Sequence, residues 1–155
     1  MTKAFRTGKG KKAAALPRAA EPGPVYVPRA GGEKTAISLR IREGFPYAQI
    51  RRVQTLFRVP DNDFAHLIGI SGKTLARIKS SNARLSALSG DRLYRLMKVW
   101  ELANKVMENP DAALAWLNRA QPGLDGQAPM DLLDTEPGYE QVQTLLNQLE
   151  YGVLP

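Results

Sequence analysis

The amino-acid sequence predicts an all-α fold, and three observations carry that prediction. Apolar residues recur at three- and four-residue intervals along most of the chain from Tyr47 onward. Proline and capping residues punctuate these segments at helical lengths. No stretch alternates as a strand should, except weakly at Ala36 to Ile41, and no repeat of twenty to fifty residues is present.

At 155 residues the chain has room for one compact domain with tails or for two small ones, and an apolar content of 43% is ordinary for a soluble globule. The absence of cysteine excludes disulfides and thiolate metal sites, so a reducing, cytoplasmic setting is expected. His66 is the only histidine, which excludes a multi-histidine metal site. No apolar run approaches bilayer length, since Ala13 to Leu16 is stopped by Pro17, and no membrane partner is expected.

Residues 1–35 contain Lys9, Lys11 and Lys12 among prolines, glycines and alanines with little periodicity, and they read as a disordered basic arm. The arm either adds phosphate contacts to a nucleic-acid site or is an extension without such a role. Its Arg-rich, acid-poor character also resembles a transit peptide, though nothing else in the chain favours an organelle. From Tyr47 to Phe57 the apolar set Tyr47, Ile50, Val53, Leu56 and Phe57 marks one face of an amphipathic helix opened by Pro46. Pro60 then breaks the chain, and Asp61 is expected to cap a helix to Ile68, followed by another over Gly72 to Ser81. After a loop over Asn82 to Ser86, Ser89 is expected to cap a long helix reaching about Glu108. Asn109-Pro110 is a stop followed by a start, with Asp111 to Asn118 as the next helix. Gln121 to Gln127 is a loop, Pro129 to Leu133 a short helix, and Pro137 to about Leu149 the last one. Trp100 and Trp116 are expected in the core.

The most specific local signal lies between Asp61 and Ser80. In this twenty-residue window Ala65 falls fifth, Gly69 ninth, Ile70 tenth, Leu75 fifteenth and Ile78 eighteenth, which is the spacing of a helix-turn-helix. A small residue lets two helix backbones approach, Gly69 can adopt the positive φ that ends the first helix, and the apolar residues set the crossing angle. The second helix would enter a DNA major groove, with Lys73 and Arg77 donating to guanine acceptors and Ser71, Thr74 and Lys79 nearby for bases or phosphates. Arg51, Arg52 and Arg58 would meet the backbone. The alternative is a helical hairpin whose basic face is only solvated.

Charge supports the DNA reading and divides the chain. Net charge is +6 over residues 1–35, +8 over 36–98 and −7 over 99–155. The middle should attract a polyanion and the end should repel one. On this basis three regions are expected: a basic arm (1–35), a DNA-binding helix-turn-helix domain (36–98) and an acidic helical part ending in a tail (99–155).

Enzyme readings are poorly supported, and the chain is read as non-catalytic. His66 sits within a motif helix without a nucleophile pattern, and Asp131, Asp134 and Glu136 suit helix caps and an acidic rim better than a metal site. Gly123 and Gly126 are not followed by Lys-Ser/Thr and make no phosphate loop, so no cofactor is expected. The chain end, Glu150-Tyr151-Gly152-Val153-Leu154-Pro155, either folds back on its own core or reaches into a partner with its apolar residues as anchors.

With these motifs in order, GISGKTLARIKSSNARLSALSGDRLYRL followed by WELANKVMENPDAALAWLNRAQPGLDGQAPMDLLDTEPGYEQVQTLLNQLEYGV resembles the Xre/MbcA/ParS family of antitoxins. The Ala-x-x-Trp-Leu, Gly-x-x-Pro-x-Asp-Leu-Leu and terminal Glu-Tyr-Gly elements carry the similarity over residues 47–154. The resemblance implies a Cro-like helix-turn-helix domain followed by a small helical toxin-binding domain. It also implies a RES-domain toxin that consumes NAD as partner, blockage of that toxin's active site, and binding to the operon's own operator DNA as a homodimer. Toxin contacts then fall on Leu149, Glu150, Tyr151, Gly152 and Val153, with Asp131, Leu132 and Leu133 as a structural element nearby. A ParS-like protein-binding scaffold and a stand-alone helix-turn-helix transcription regulator are the alternatives. The long basic N-terminus is not part of the common pattern.

Overall fold

The computed structural model describes residues 33–153, which form eight α-helices and one 3-10 turn. They are α1 (Glu33–Glu43), α2 (Tyr47–Phe57), α3 (Asp61–Leu67), α4 (Gly72–Ser81), α5 (Ala87–Met107), α6 (Pro110–Leu117), α7 (Pro129–Leu132) and α8 (Glu136–Glu150), with the 3-10 turn at Pro122–Leu124. The fold of the described residues is all-α, as the apolar periodicity predicts. The basic arm lies outside the described residues except for its last three, which are not disordered but open α1.

The weak alternation at Ala36 to Ile41 is helical too. Ile37 is buried and Ile41 partly so, an i,i+4 pair turned toward α5, while Leu39 between them remains 53% exposed. The helix stops at Gly44, whose φ of +80° and whose position against the Leu85 carbonyl leave no room for a β-carbon. Arg84 Nη1 donates to the Gly44 carbonyl at 2.8 Å and Leu85 N to that of Phe45 at 3.0 Å, binding the loop before α5 to the start of α2.

Two helix starts differ from expectation. Ser86, not Ser89, caps α5: its Oγ accepts the Ser89 N–H at 3.4 Å, so the helix begins before Ser89, which is buried in its first turn. Pro60 occupies the cap position of α3, and Asp61 is its first helical residue, its charge facing the helix dipole while Gln54 Nε2 donates to it at 2.7 Å. Asn109 caps α6 as the Asn-Pro pair predicts, accepting from the Asp111 and Ala112 amides at 2.9 and 3.0 Å. The Gln121–Gln127 loop is ordered by Gln121, a buried polar side chain whose amide donates to the Trp116 and Arg119 carbonyls at 3.0 and 3.1 Å.

The long α5 is the spine, with α1 and α2 packed along its first part and α6 and α8 along its second. Phe45, Ile50, Phe57, Phe64, Leu93, Leu96, Met97, Leu117 and Leu146 join one continuous apolar core running from the helix-turn-helix to the last helix. Trp116 is buried within it, and Trp100 is half-buried with its ring 5.7 Å from that of Phe57. The charge boundary at residues 98 and 99 therefore falls inside a continuous helix. Arg95 on α5 ties α8 to the spine: it pairs with Asp91 at 3.1 Å and with Glu136, and its guanidinium lies 5.9 Å from the Tyr139 ring. Burial raises the Tyr139 phenol above its ordinary range.

Candidate DNA-binding surface and partner-binding tip

Helices α3 and α4 form the helix-turn-helix. Gly69 adopts a φ of +71°, and the Ile70 amide reaches back to the Ala65 carbonyl at 2.9 Å, closing α3 and redirecting the chain into α4. Leu75 and Ile78 bury the inner face of α4 beside Ala65. The outward face carries Lys73, Ala76, Arg77 and Ser80, all exposed. Lys73 and Arg77 are thus presented together, one helical turn apart, as reading a major groove requires.

Ser71 and Thr74 have a structural task at this surface. Ser71 caps α4, its Oγ accepting the Thr74 amide at 3.1 Å and lying 3.0 Å from the Thr74 hydroxyl. The cap satisfies one of the amides that the first turn of α4 leaves without an intrahelical partner. Lys79 lies on the flank of α4 rather than on its outer face, and it shares a cleft with Arg51, Arg58, Tyr47 and Gln54 of the α2 side. Arg51 is exposed and Arg52 half-buried.

The other predicted contacts gather at the far end of the chain. Helix α8 closes with the Gly152 amide bonded to the Leu149 carbonyl at 3.3 Å and the Val153 amide to that of Gln148 at 2.9 Å. This pair of bonds, with Gly152 at a φ of +67°, is a Schellman turn, and it needs a residue that tolerates the left-handed region. The turn leaves Tyr151 at 75% exposure and Val153 at 58%. Neither side chain folds back on the core; Leu154 lies outside the described residues. Leu149 is half-buried against the core, and Glu150 turns inward to pair with Lys105 of α5. That hydrogen bond, with the attraction of the Glu150 carboxylate, raises the Lys105 ammonium above the usual lysine range. Sequence reasoning missed Lys105, although a signal was present: residues 99–155 hold only two cations, and Lys105 is one of them.

Asp131 lies in the first turn of the short α7, Leu133 is buried and Leu132 half-buried, so this element packs beneath α8. Gly138 lets it approach, since a β-carbon there would meet the Leu132 carbonyl at 2.0 Å. His66 Nε2 lies 3.4 Å from Asp134 Oδ2, an exposed contact between α3 and the turn before α8. Among the described residues no group of three His, Cys, Asp or Glu side chains could hold a metal ion, and no helix is long and apolar enough to cross a membrane.

The geometry defines a class: a helix-turn-helix protein whose last helix ends in an exposed tip carrying Tyr151 and Val153. Residues 36–98 match the antitoxin Xre-like helix-turn-helix domain, and residues 102–152 match the antitoxin Xre/MbcA/ParS C-terminal toxin-binding domain. The chain is 26% identical to an Antitoxin Xre of Photorhabdus laumondii, over 74% of this chain and 78% of that protein. A second Antitoxin Xre, from Yersinia enterocolitica, is 26% identical over 73% of this chain and 77% of its own length. A protein of Sphingobium named Prs ADP-ribosylating antitoxin is 26% identical over 72% and 76%. The chain belongs to the Xre/MbcA/ParS antitoxin family. It is a type II antitoxin rather than an enzyme, and its partners are a cognate toxin and DNA.

Proposed function

We propose that this antitoxin neutralises a RES-domain, NAD-degrading toxin by laying the end of α8 across the toxin's active site. We further propose that it represses its own operon by binding operator DNA as a homodimer, in the cytoplasm. In this reading residues 36–98 serve the operator and residues 99–155 the toxin. The observation that carries the toxin half is the Schellman turn, whose two backbone hydrogen bonds shape the end of α8 while Tyr151 and Val153 stay exposed. Exposed aromatic and β-branched side chains on a fixed turn lose little entropy on docking, which is what an anchor needs. Lys105 keeps Glu150 in place beside them.

Co-expression with the adjacent reading frame tests the proposal. The expected result is loss of that neighbour's toxicity together with preserved cellular NAD; persistent toxicity and NAD loss would defeat it. A second NAD-dependent chemistry is favoured by the name of the Sphingobium relative. A toxin transferring ADP-ribose to a protein would leave a modified acceptor when the antitoxin is withheld, whereas simple degradation of NAD would not.

The DNA half makes a separate prediction for Arg77, exposed on the outer face of α4. Arg77→Ala is expected to weaken operator binding by about 1–3 kcal/mol, the discrimination carried by a bidentate base contact, while changing random-sequence binding much less. Competition titrations against both duplexes measure this, and an equal loss on the two would remove Arg77 from the base-reading set.

A further inference from the structure

We propose that the cleft between α2 and α4 is a seat for a DNA backbone phosphate, and that Asp111 of α6 competes with that phosphate for Arg58. The inference rests on the DNA-binding reading and assigns to the helical toxin-binding half a residue that sets DNA affinity.

The cleft gathers cations from two elements. Arg51 comes from α2, Arg58 from the residue that ends it, and Lys79 from the flank of α4, with Tyr47, Gln54 and Thr55 completing the lining. The one acid in the wall, Asp61, already accepts a hydrogen bond from Gln54 Nε2 at 2.7 Å. Three positive groups thus outnumber one carboxylate around a concave surface beside the recognition helix, a net charge that a phosphodiester fits.

Arg58 is held at the rim by its backbone. It caps α2 in the left-handed region at a φ of 53°, its amide bonded to the Gln54 carbonyl at 3.0 Å. From there Nη2 reaches across to Asp111 Oδ1 in the first turn of α6, at 2.6 Å. Both side chains are well exposed, so water screens the pair and a phosphate can displace the carboxylate. In the native chain a phosphate must first displace the Asp111 carboxylate from Arg58, and the free energy of that ion pair is subtracted from the contact. With Asp111 neutral, Arg58 meets the phosphate without that competition, so affinity rises while the number of phosphates neutralised stays the same.

The test compares full-length native protein with Asp111→Asn, Asp125→Asn and the double variant Arg58→Gln/Asp111→Asn. Each is titrated on a random-sequence 20-base-pair DNA duplex across a salt series. Asp111→Asn is expected to raise affinity about two- to fivefold, the worth of one exposed ion pair, with a slope of log affinity against log salt close to that of native protein. In the double variant the gain should vanish and the slope should flatten by about 0.9, one phosphate's worth. Asp125→Asn removes the same charge from an exposed loop position and should leave affinity near native. Unaltered affinity in Asp111→Asn, an equal gain in Asp125→Asn, or retention of the gain without Arg58 would each overturn the inference while leaving DNA binding standing. Absence of salt-dependent binding by the native protein would overturn both.

Discussion

Tyr151→Ala is expected to weaken toxin neutralisation strongly while leaving the fold and DNA binding intact. Its ring is three-quarters exposed at the end of α8, so its removal takes little from the core. If it is the central anchor of the toxin contact, truncation should cost about 2 kcal/mol or more of binding energy, roughly thirtyfold in affinity. Calorimetric titration of toxin with native and variant antitoxin reads this directly. Unchanged affinity would move the contact elsewhere on the acidic half.

Leu93→Ala is the second large effect, and it falls on stability. Leu93 is fully buried on α5, in the stretch that joins the two halves of the core. Removing its side chain should lower stability by about 2–5 kcal/mol, the lost transfer energy plus the cavity left behind. Because one core runs through both halves, the loss should appear as a single earlier unfolding transition in denaturant, with DNA binding and toxin binding disappearing together. Two separated transitions, of which only the first moves, would show instead that the halves fold independently.

The sequence made much of this fold legible because its helix boundaries are written in local chemistry. Asn109-Pro110 caps and starts a helix by side-chain geometry alone, and Gly69 ends α3 because it tolerates a positive φ at no steric cost. Where two local readings compete, tertiary contacts decide. Ile37, Leu39 and Ile41 satisfy a two-residue period as well as a helical one, and only the packing of Ile37 and Ile41 toward α5, with Leu39 left exposed, separates them. Ser89 reads as the cap of α5 from the sequence, yet the cap is Ser86, whose oxygen meets the amide three residues on.

The candidate site shows the same division. The face formed by Lys73 and Arg77 follows from helical spacing, but the capping role of Ser71 and the cleft that collects Arg51, Arg58 and Lys79 depend on how α2 crosses α4. The change of net charge after residue 98 is a property of the surface, and it is silent about a backbone that continues as one helix to Met107. For the chain end, the residues alone leave both a returning tail and a projecting one open. The turn at Gly152 settles the direction of Tyr151 and Val153.

The most direct test of the account is a comparison of the full chain with one ending after Gln148, titrated into purified toxin while NAD consumption is followed. The truncation removes residues 149–155 and leaves the helix-turn-helix untouched. The account predicts that the full chain suppresses NAD consumption in proportion to the antitoxin added, whereas the truncated chain binds DNA normally and leaves the toxin active. Equal suppression by both chains would contradict it.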